Sequence, residues 1–195
     1  MKLWKTIEPN FESHGHKWKV GRWYRVDGEI ELCANGFHAS PTIYDAYGYV
    51  TPGWICRVEV RGENDMGDNK SCWREMLILK RYKWTDAMAR KLAVYCAELV
   101  LPIWQKYYPN DNRVADCIAV TKRYLRGKAT KEEFAAASAA ASAAASAADW
   151  AAAGDAAWDA ASAAARAAAG DAAGAATIAK IERKIRALAG IGKGE

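Results

Sequence analysis

The residues of this sequence whose types and spacing can do chemistry are three histidines, five cysteines and a pair of closely spaced glutamates. His14-x-His16 with Cys33 and His38 is the one metal-like set. Zinc takes about four N or S ligands at tetrahedral corners. The HxH pair supplies two, and Cys33 and His38 must come from a separate turn. The plainer reading leaves His14 and His16 in an exposed loop and His38 in a turn or core, so no metal is expected. Cys33 and His38 flank the Asn35-Gly36 turn, and a thiolate beside an imidazole is the arrangement of cysteine nucleophiles. Cysteines 33, 56, 72, 96 and 117 include no CxxC, and they read more simply as small buried hydrophobes in a reducing compartment. Glu29-x-Glu31 puts two carboxylates on one strand face. That suits acid–base work when one is buried, and is otherwise the solvent face of an alternating strand. Glu29, Glu31, His38 and Tyr44 form the candidate ligand pocket. P-loop, GxGxxG, GxSxG and HExxH motifs are absent, so no cofactor is expected and no catalytic set is assigned.

Binding chemistry is more evident. Trp18, Arg22, Trp23, Tyr24 and Arg25 interleave aromatic and basic side chains. Such residues can stack on bases, but Trp, Tyr and Arg also dominate protein interfaces. Near the C-terminus, Ile178, Ile181, Ile185 and Leu188 recur at helical spacing, with Lys180, Arg183, Lys184 and Arg186 on the other face. The net charge is +5, from 28 basic and 23 acidic residues. The excess is spread evenly along the chain, so it does not by itself indicate a nucleic-acid surface, and a protein partner is expected before nucleic acid. The expected partner contacts are Trp18, Arg22, Trp23, Arg25, Lys180, Arg183, Lys184 and Arg186.

The elements that must position these residues change character near Trp84. Six of the nine Trp lie between Met1 and Trp84, which excludes disorder there. Trp18–Val26 ends at Asp27-Gly28, a hairpin signal, and Glu29–Cys33 alternates beyond it. Ser40-Pro41 reads as the cap and first position of a short helix to about Tyr47. Trp54–Arg61 alternates as a half-buried strand. Gly62–Lys70 reads as a loop and Trp73–Trp84 as the last strand.

From Thr85 the period becomes helical. One helix is expected over Asp86–Tyr107, kinked or split at Pro102, and another over Arg113–Arg126, stopped by Gly127. Thr130-Lys131-Glu132-Glu133 is a capping box that starts a long helix. Between Ala135 and Ala176, 28 of 42 residues are Ala, which explains the overall 51% hydrophobic content. Ser, Trp and Gly, with Arg166 once, mark every fourth position from Ser138, through Trp150, Gly154 and Trp158, to Gly174, and Gly154, Gly170 and Gly174 read as break or close-approach points. A marker every four residues drifts by about 40° per step around a helix. The expectation is two or three closely packed Ala-faced helices, bulked by Trp150 and Trp158 and able to self-associate. No run of about 20 strongly apolar residues exists, and MKLWKTIEPN has no apolar signal core. A membrane association is not expected, and the cytoplasm of a bacterial cell is. The reading is α+β: a β-rich head over 1–84 and an Ala-rich helical bundle over 85–195.

Two segments resemble known families. Gly21-Arg-Trp-Tyr-Arg-Val-Asp-Gly-Glu-Ile-Glu-Leu-Cys33, Asn35-Gly-Phe-His-Ala-Ser40, Asp45-Ala46 and Arg57-Val-Glu-Val60 resemble a small phage and prophage domain of unknown function. The Gly-Phe-His-Ala-Ser segment with its following helix and strand is also similar to a split ADP-ribosyltransferase core. That likeness would imply NAD-related chemistry at Glu29 and His38, although Glu29-x-Glu31 precedes the segment where the transferase pattern has its glutamate late. Cys96-Ala-Glu-Leu-Val-Leu-Pro-Ile-Trp104, Lys106 to Arg113 and Ala119 to Thr130 are similar to immunity proteins of bacterial toxin systems, which implies helical hairpins and protein binding. The expected function is a phage or prophage accessory protein that binds a bacterial protein, most concretely a counter-defence inhibitor of the anti-CRISPR kind. The alternatives are an immunity-type antitoxin and a divergent ADP-ribosyltransferase-like enzyme.

Overall fold

The computed structural model describes residues 1–13, 15–49, 53–152 and 172–192. Strands β1 (Lys2–Ile7), β2 (Glu12–Ser13), β3 (His16–Lys17), β4 (Trp23–Arg25) and β5 (Phe37–Ala39) precede the short helix α1 (Ile43–Tyr47). The long strands β6 (Trp54–Met66) and β7 (Ser71–Lys83) follow. Then come α2 (Asp86–Tyr107), α3 (Arg113–Leu125), α4 (Lys131–Ala152) and α5 (Ala172–Ala189). The α+β reading is correct, with strands first and helices after. The chain divides into two compact units, Met1–Met88 with Lys180–Glu195, and Ala89–Ala179. The C-terminal segment therefore groups with the strands, whereas its sequence suggested a place in the helical part.

The first unit is built on an antiparallel sheet ordered β1-β6-β7-β4, with β5 also paired to β7. β4 lies against Glu75–Leu77 and β5 against Ser71–Trp73, so the two share one edge of β7. The other edge of β1 meets the residue just after β5: Trp4 and Ser40 exchange backbone hydrogen bonds of 2.9 and 2.8 Å. This one bridge closes the sheet from β5 back to β1. Inside lie Leu3, Ile7, Phe37, Ala39, Cys56, Val58, Val60, Trp73, Met76 and Ile78, with Phe11 and Trp18. Strand alternation puts Trp4, Ile55 and α1 on the outer side. There Trp4 is 2% and Ile55 0% exposed.

Several local expectations differ from this arrangement. Asp27-Gly28 does not join a hairpin, and Glu29–Cys33 is not a strand. β4 pairs with β7 instead, while Arg74 donates to the Val26 and Gly28 carbonyls and Asn35 Nδ2 to those of Asp27 and Glu29. Side chains hold the carbonyls that a hairpin partner would otherwise take. β1, unread in the sequence, pairs along its length with β6. The expected loop over Gly62–Lys70 is mostly strand. β6 continues to Met66 across two register shifts, one beside Gly62 at φ +83°, and turns only where the Gly67 N–H donates to the Lys70 carbonyl. The short helix begins later than expected, because the Ser40 backbone serves the bridge to Trp4. Thr42 is the cap, accepting the Asp45 N–H at 3.1 Å.

In the second unit α2 runs unsplit past Pro102. Glu98 accepts a hydrogen bond from Lys122 of α3, and Tyr124 of α3 stacks on Phe134 of α4 with ring centroids 5.0 Å apart. The capping box forms as expected: the Glu133 N–H donates to Thr130 Oγ1 and the Thr130 N–H to Glu133 Oε2. α4 is one helix through Ser138, Ser142 and Ser146, and Gly174 lies within α5 rather than at a break. Gly154 and Gly170, expected as break or close-approach points, and Trp158, expected to supply bulk, lie outside the described residues, as does the Trp150 side chain.

Candidate functional site

A cavity of about 280 Å³ opens where the sheet closes, lined by Trp4, Lys5 and Thr6 of β1, by His38 and Ser40, and by the more exposed Cys33, Tyr49 and Lys70. Lys5 is 6% exposed. Its Nζ donates to the His38 carbonyl at 3.0 Å and lies 6.0 Å from the Trp18 ring. Burial lowers its pKa to about 8, against a smaller upward pull from Cys56 on the facing strand. Burial likewise pushes the Cys56 thiol up to about 12, with Lys5 and Arg81 pulling it down. Cys33 is held at φ +69°. Its N–H donates to His38 Nε2 at 3.0 Å, and its Sγ accepts a hydrogen bond from Lys70 Nζ at 3.0 Å. That bond, more than any other influence, raises the Lys70 pKa. Cys33 and His38 do meet, but the imidazole binds the cysteine's amide rather than its thiol. The contact orients the loop and is not a nucleophile–base pair.

The structure brings together few of the residues expected at a pocket. His38 lines the cavity, whereas Glu29 and Glu31 are exposed outside it. Tyr44, 37% exposed, is also outside, and Tyr49 stands there instead. Trp18 is a core residue at 3% exposure, packed against Phe37 and Tyr24, and so faces no partner. Arg22 lies over Tyr24, Trp23 lies beneath Arg61, and Arg25 pairs with Glu75 at 2.8 Å. The Glu75 carboxyl is held below its ordinary pKa by Arg61 and Arg25. Lys180 and Arg183 are exposed and Lys184 half-buried, while Arg186 is held by Glu182 and the Trp4 ring. His16 packs against Phe37, Tyr24 and Trp18, and His14 lies outside the described residues. Among the described residues no group of three or more His, Cys, Asp or Glu could hold a metal ion.

A second surface lies at the α2–α3 end of the helical unit, which the site residues read from the sequence did not include. Ile103 and Tyr107, one turn apart on α2, are 60% and 62% exposed. Beyond them Tyr108, Pro109, Asn110, Asp111 and Arg113 frame an open concavity of about 620 Å³. Its shape is well braced. Trp104 and Tyr108 rings lie 4.4 Å apart, and Trp104 Nε1 donates to the Asp111 carbonyl. The Arg113 guanidinium holds the Asp111 carboxyl below the usual carboxylate range. The Leu-Pro-Ile-Trp and Tyr-Pro-Asn-Asp-Asn-Arg pieces that carried the family resemblance are the signal that marks this place.

A family model described as Immunity protein Imm5 matches residues 71–186, and one described as Domain of unknown function (DUF7666) matches residues 1–90. The chain belongs to the Imm5 immunity protein family, and its N-terminal part is similar to the domain of unknown function. The two matches share residues 71–90, which contain β7. The immunity match thus includes the strand on which β4, β5 and β6 all pair. No curated protein and no solved structure matches the chain. The family supports an immunity protein, the alternative in the sequence reading, and nothing found supports a phage origin or a counter-defence role. No described helix is long and apolar enough to cross a membrane.

Proposed function

We propose that this protein is an antitoxin of the immunity type, which neutralises a bacterial protein toxin by binding it through the α2–α3 end of its helical unit. The match to the immunity family over residues 71–186 carries this reading. The proposed contact lies inside the matched span. Ile103 and Tyr107 present large apolar area to solvent, and exposed aromatic side chains beside a braced loop are typical anchors of binding energy. The loop's rigidity limits the ordering cost of association. Neutralisation follows from covering the toxin's surface and requires no chemistry by this chain.

The test is co-expression with a bacterial protein toxin, sought among the products of neighbouring genes. Growth is rescued by the native chain and by Lys180→Ala, while Tyr107→Asp with Ile103→Asp loses rescue and weakens binding at least about 100-fold, as hot-spot losses do. Rescue by the double variant at unchanged affinity would move the contact elsewhere. Failure of the native chain to bind or rescue would remove the antitoxin reading.

A further inference from the structure

The cavity in the strand-rich unit has no part in the proposed toxin contact; of the buried polar groups that line it, Thr6 donates to the Ala46 carbonyl at 2.7 Å, whereas among the described residues Lys5 has no counter-charge and the Ser40 hydroxyl no partner. Lys5 is 6% exposed and donates to the His38 carbonyl, and no carboxylate of the described residues lies within ion-pair distance of it. A buried ammonium without a counter-charge is costly, and an anion bound beside it would offset that cost. Ser40 is 2% exposed. Its backbone serves the bridge to Trp4, and its hydroxyl has no hydrogen-bond partner among the described residues. The one described side-chain polar atom that is shut from solvent and unpartnered is Trp84 Nε1, so the Ser40 hydroxyl meets the open space of the cavity that Ser40 lines. Lys70, its ammonium 4.5 Å from the Tyr49 ring, adds a second cation to the wall. A charged donor, an unpartnered hydroxyl and a further ammonium, itself bound to Cys33 Sγ, therefore line one concave space, with Ala39 and Ala46 as apolar wall.

We propose that this cavity binds a small organic anion, a carboxylate or a phosphate monoester, whose charged oxygens are held by Lys5 and Ser40 with Lys70 closing over them. A space of about 280 Å³ suits a ligand of about one ring. The site is independent of the antitoxin reading, because it lies on the other unit and needs no toxin.

The experiment uses the full chain with phenyl phosphate and benzoate as probes, phenol as the neutral ring, and constant ionic strength. Calorimetry and melting temperature are the readouts. One or both anions should bind one to one and raise the melting temperature, while phenol does neither. The stronger anion identifies phosphate or carboxylate as the natural head group. Lys5→Met, which removes the buried charge at similar size, should weaken binding at least about tenfold, and Ser40→Ala about threefold, at unchanged secondary structure. Ser40→Ala keeps the proposal testable if Lys5→Met does not fold. Absence of binding by both anions up to about 1 mM, or affinities untouched by both variants, would overturn it.

Discussion

The Arg186 guanidinium near the end of α5 lies 5.0 Å from the ring of Trp4 on the first strand. Arg57 of β6 approaches the same ring at 4.8 Å. Glu182, one turn back on α5, orients Arg186 through a 3.0 Å ion pair, and the neighbouring Ile185 is fully buried. The last helix therefore completes the unit that the first strand begins. The immunity match ends at residue 186 and starts inside the sheet at residue 71. Any division of this chain at the strand–helix switch cuts through shared packing.

Shortening the chain to end at Ala179 should lower the melting temperature of the strand-rich unit, followed by Trp fluorescence. Ile185→Ala should cost about 2–4 kcal/mol, the usual range for emptying a buried aliphatic site. Arg186→Ala should cost about 1 kcal/mol through the lost cation–π contact. An unchanged unfolding midpoint in Ile185→Ala would mean that the helix end contributes nothing to the unit.

The buried lysine makes stability depend on pH. Folding takes Lys5 from the ordinary 10.5 down to about 8. Above about pH 8 the unfolded chain keeps a proton that the folded chain has released, so stability rises with pH. The rise is about 1 kcal/mol per pH unit. Cys56 acts in the opposite sense above about pH 9, because its thiol stays protonated to about 12 when folded. Urea unfolding should show stability climbing from pH 8 to 9 and then levelling off. Lys5→Met should abolish the climb and expose a fall above pH 9, because the Cys56 effect is then no longer offset.

Thiol reactivity should follow burial. Cys33 is exposed, Cys56 and Cys72 are buried, and burial raises the pKa of both buried thiols. Iodoacetamide at neutral pH should modify Cys33 first, with Cys56 and Cys72 slower by about tenfold or more. In urea all five should react alike, as read by peptide mass spectrometry. Equal rates in the folded protein would contradict the closed sheet.

Thr130→Ala should destabilise the start of α4 by about 1 kcal/mol, since it removes the hydroxyl that accepts the Glu133 amide at 3.1 Å. Glu133→Ala should behave similarly and also lose the 3.0 Å ion pair with Arg123. Circular dichroism during thermal unfolding reads both. A stability unchanged by Thr130→Ala would show that the cap is dispensable.

The features legible in the sequence were those written over a few neighbouring residues. The switch from strands to helices near Trp84, the Thr130 capping box, α2 and α3, and the β7 strand all depend on periodicity and on side chains that meet their own backbone within one turn. The resemblance of the C-terminal part to immunity proteins was legible for the same reason, because it rests on short runs such as Tyr-Pro-Asn-Asp-Asn-Arg. The tertiary structure decided what neighbours could not. β1 has little pattern of its own and becomes a strand by pairing with β6. Glu29 and Glu31 fail to share a strand face because Arg74 and Asn35 take the carbonyls around them. Trp18 and Arg186, grouped by type as partner contacts, are used inside the fold. The cavity exists only because Trp4 meets Ser40 across the closed sheet, which puts Lys5 among apolar walls. Each of these depends on groups far apart in the chain, and burial sets their energies only after the distant partner has arrived.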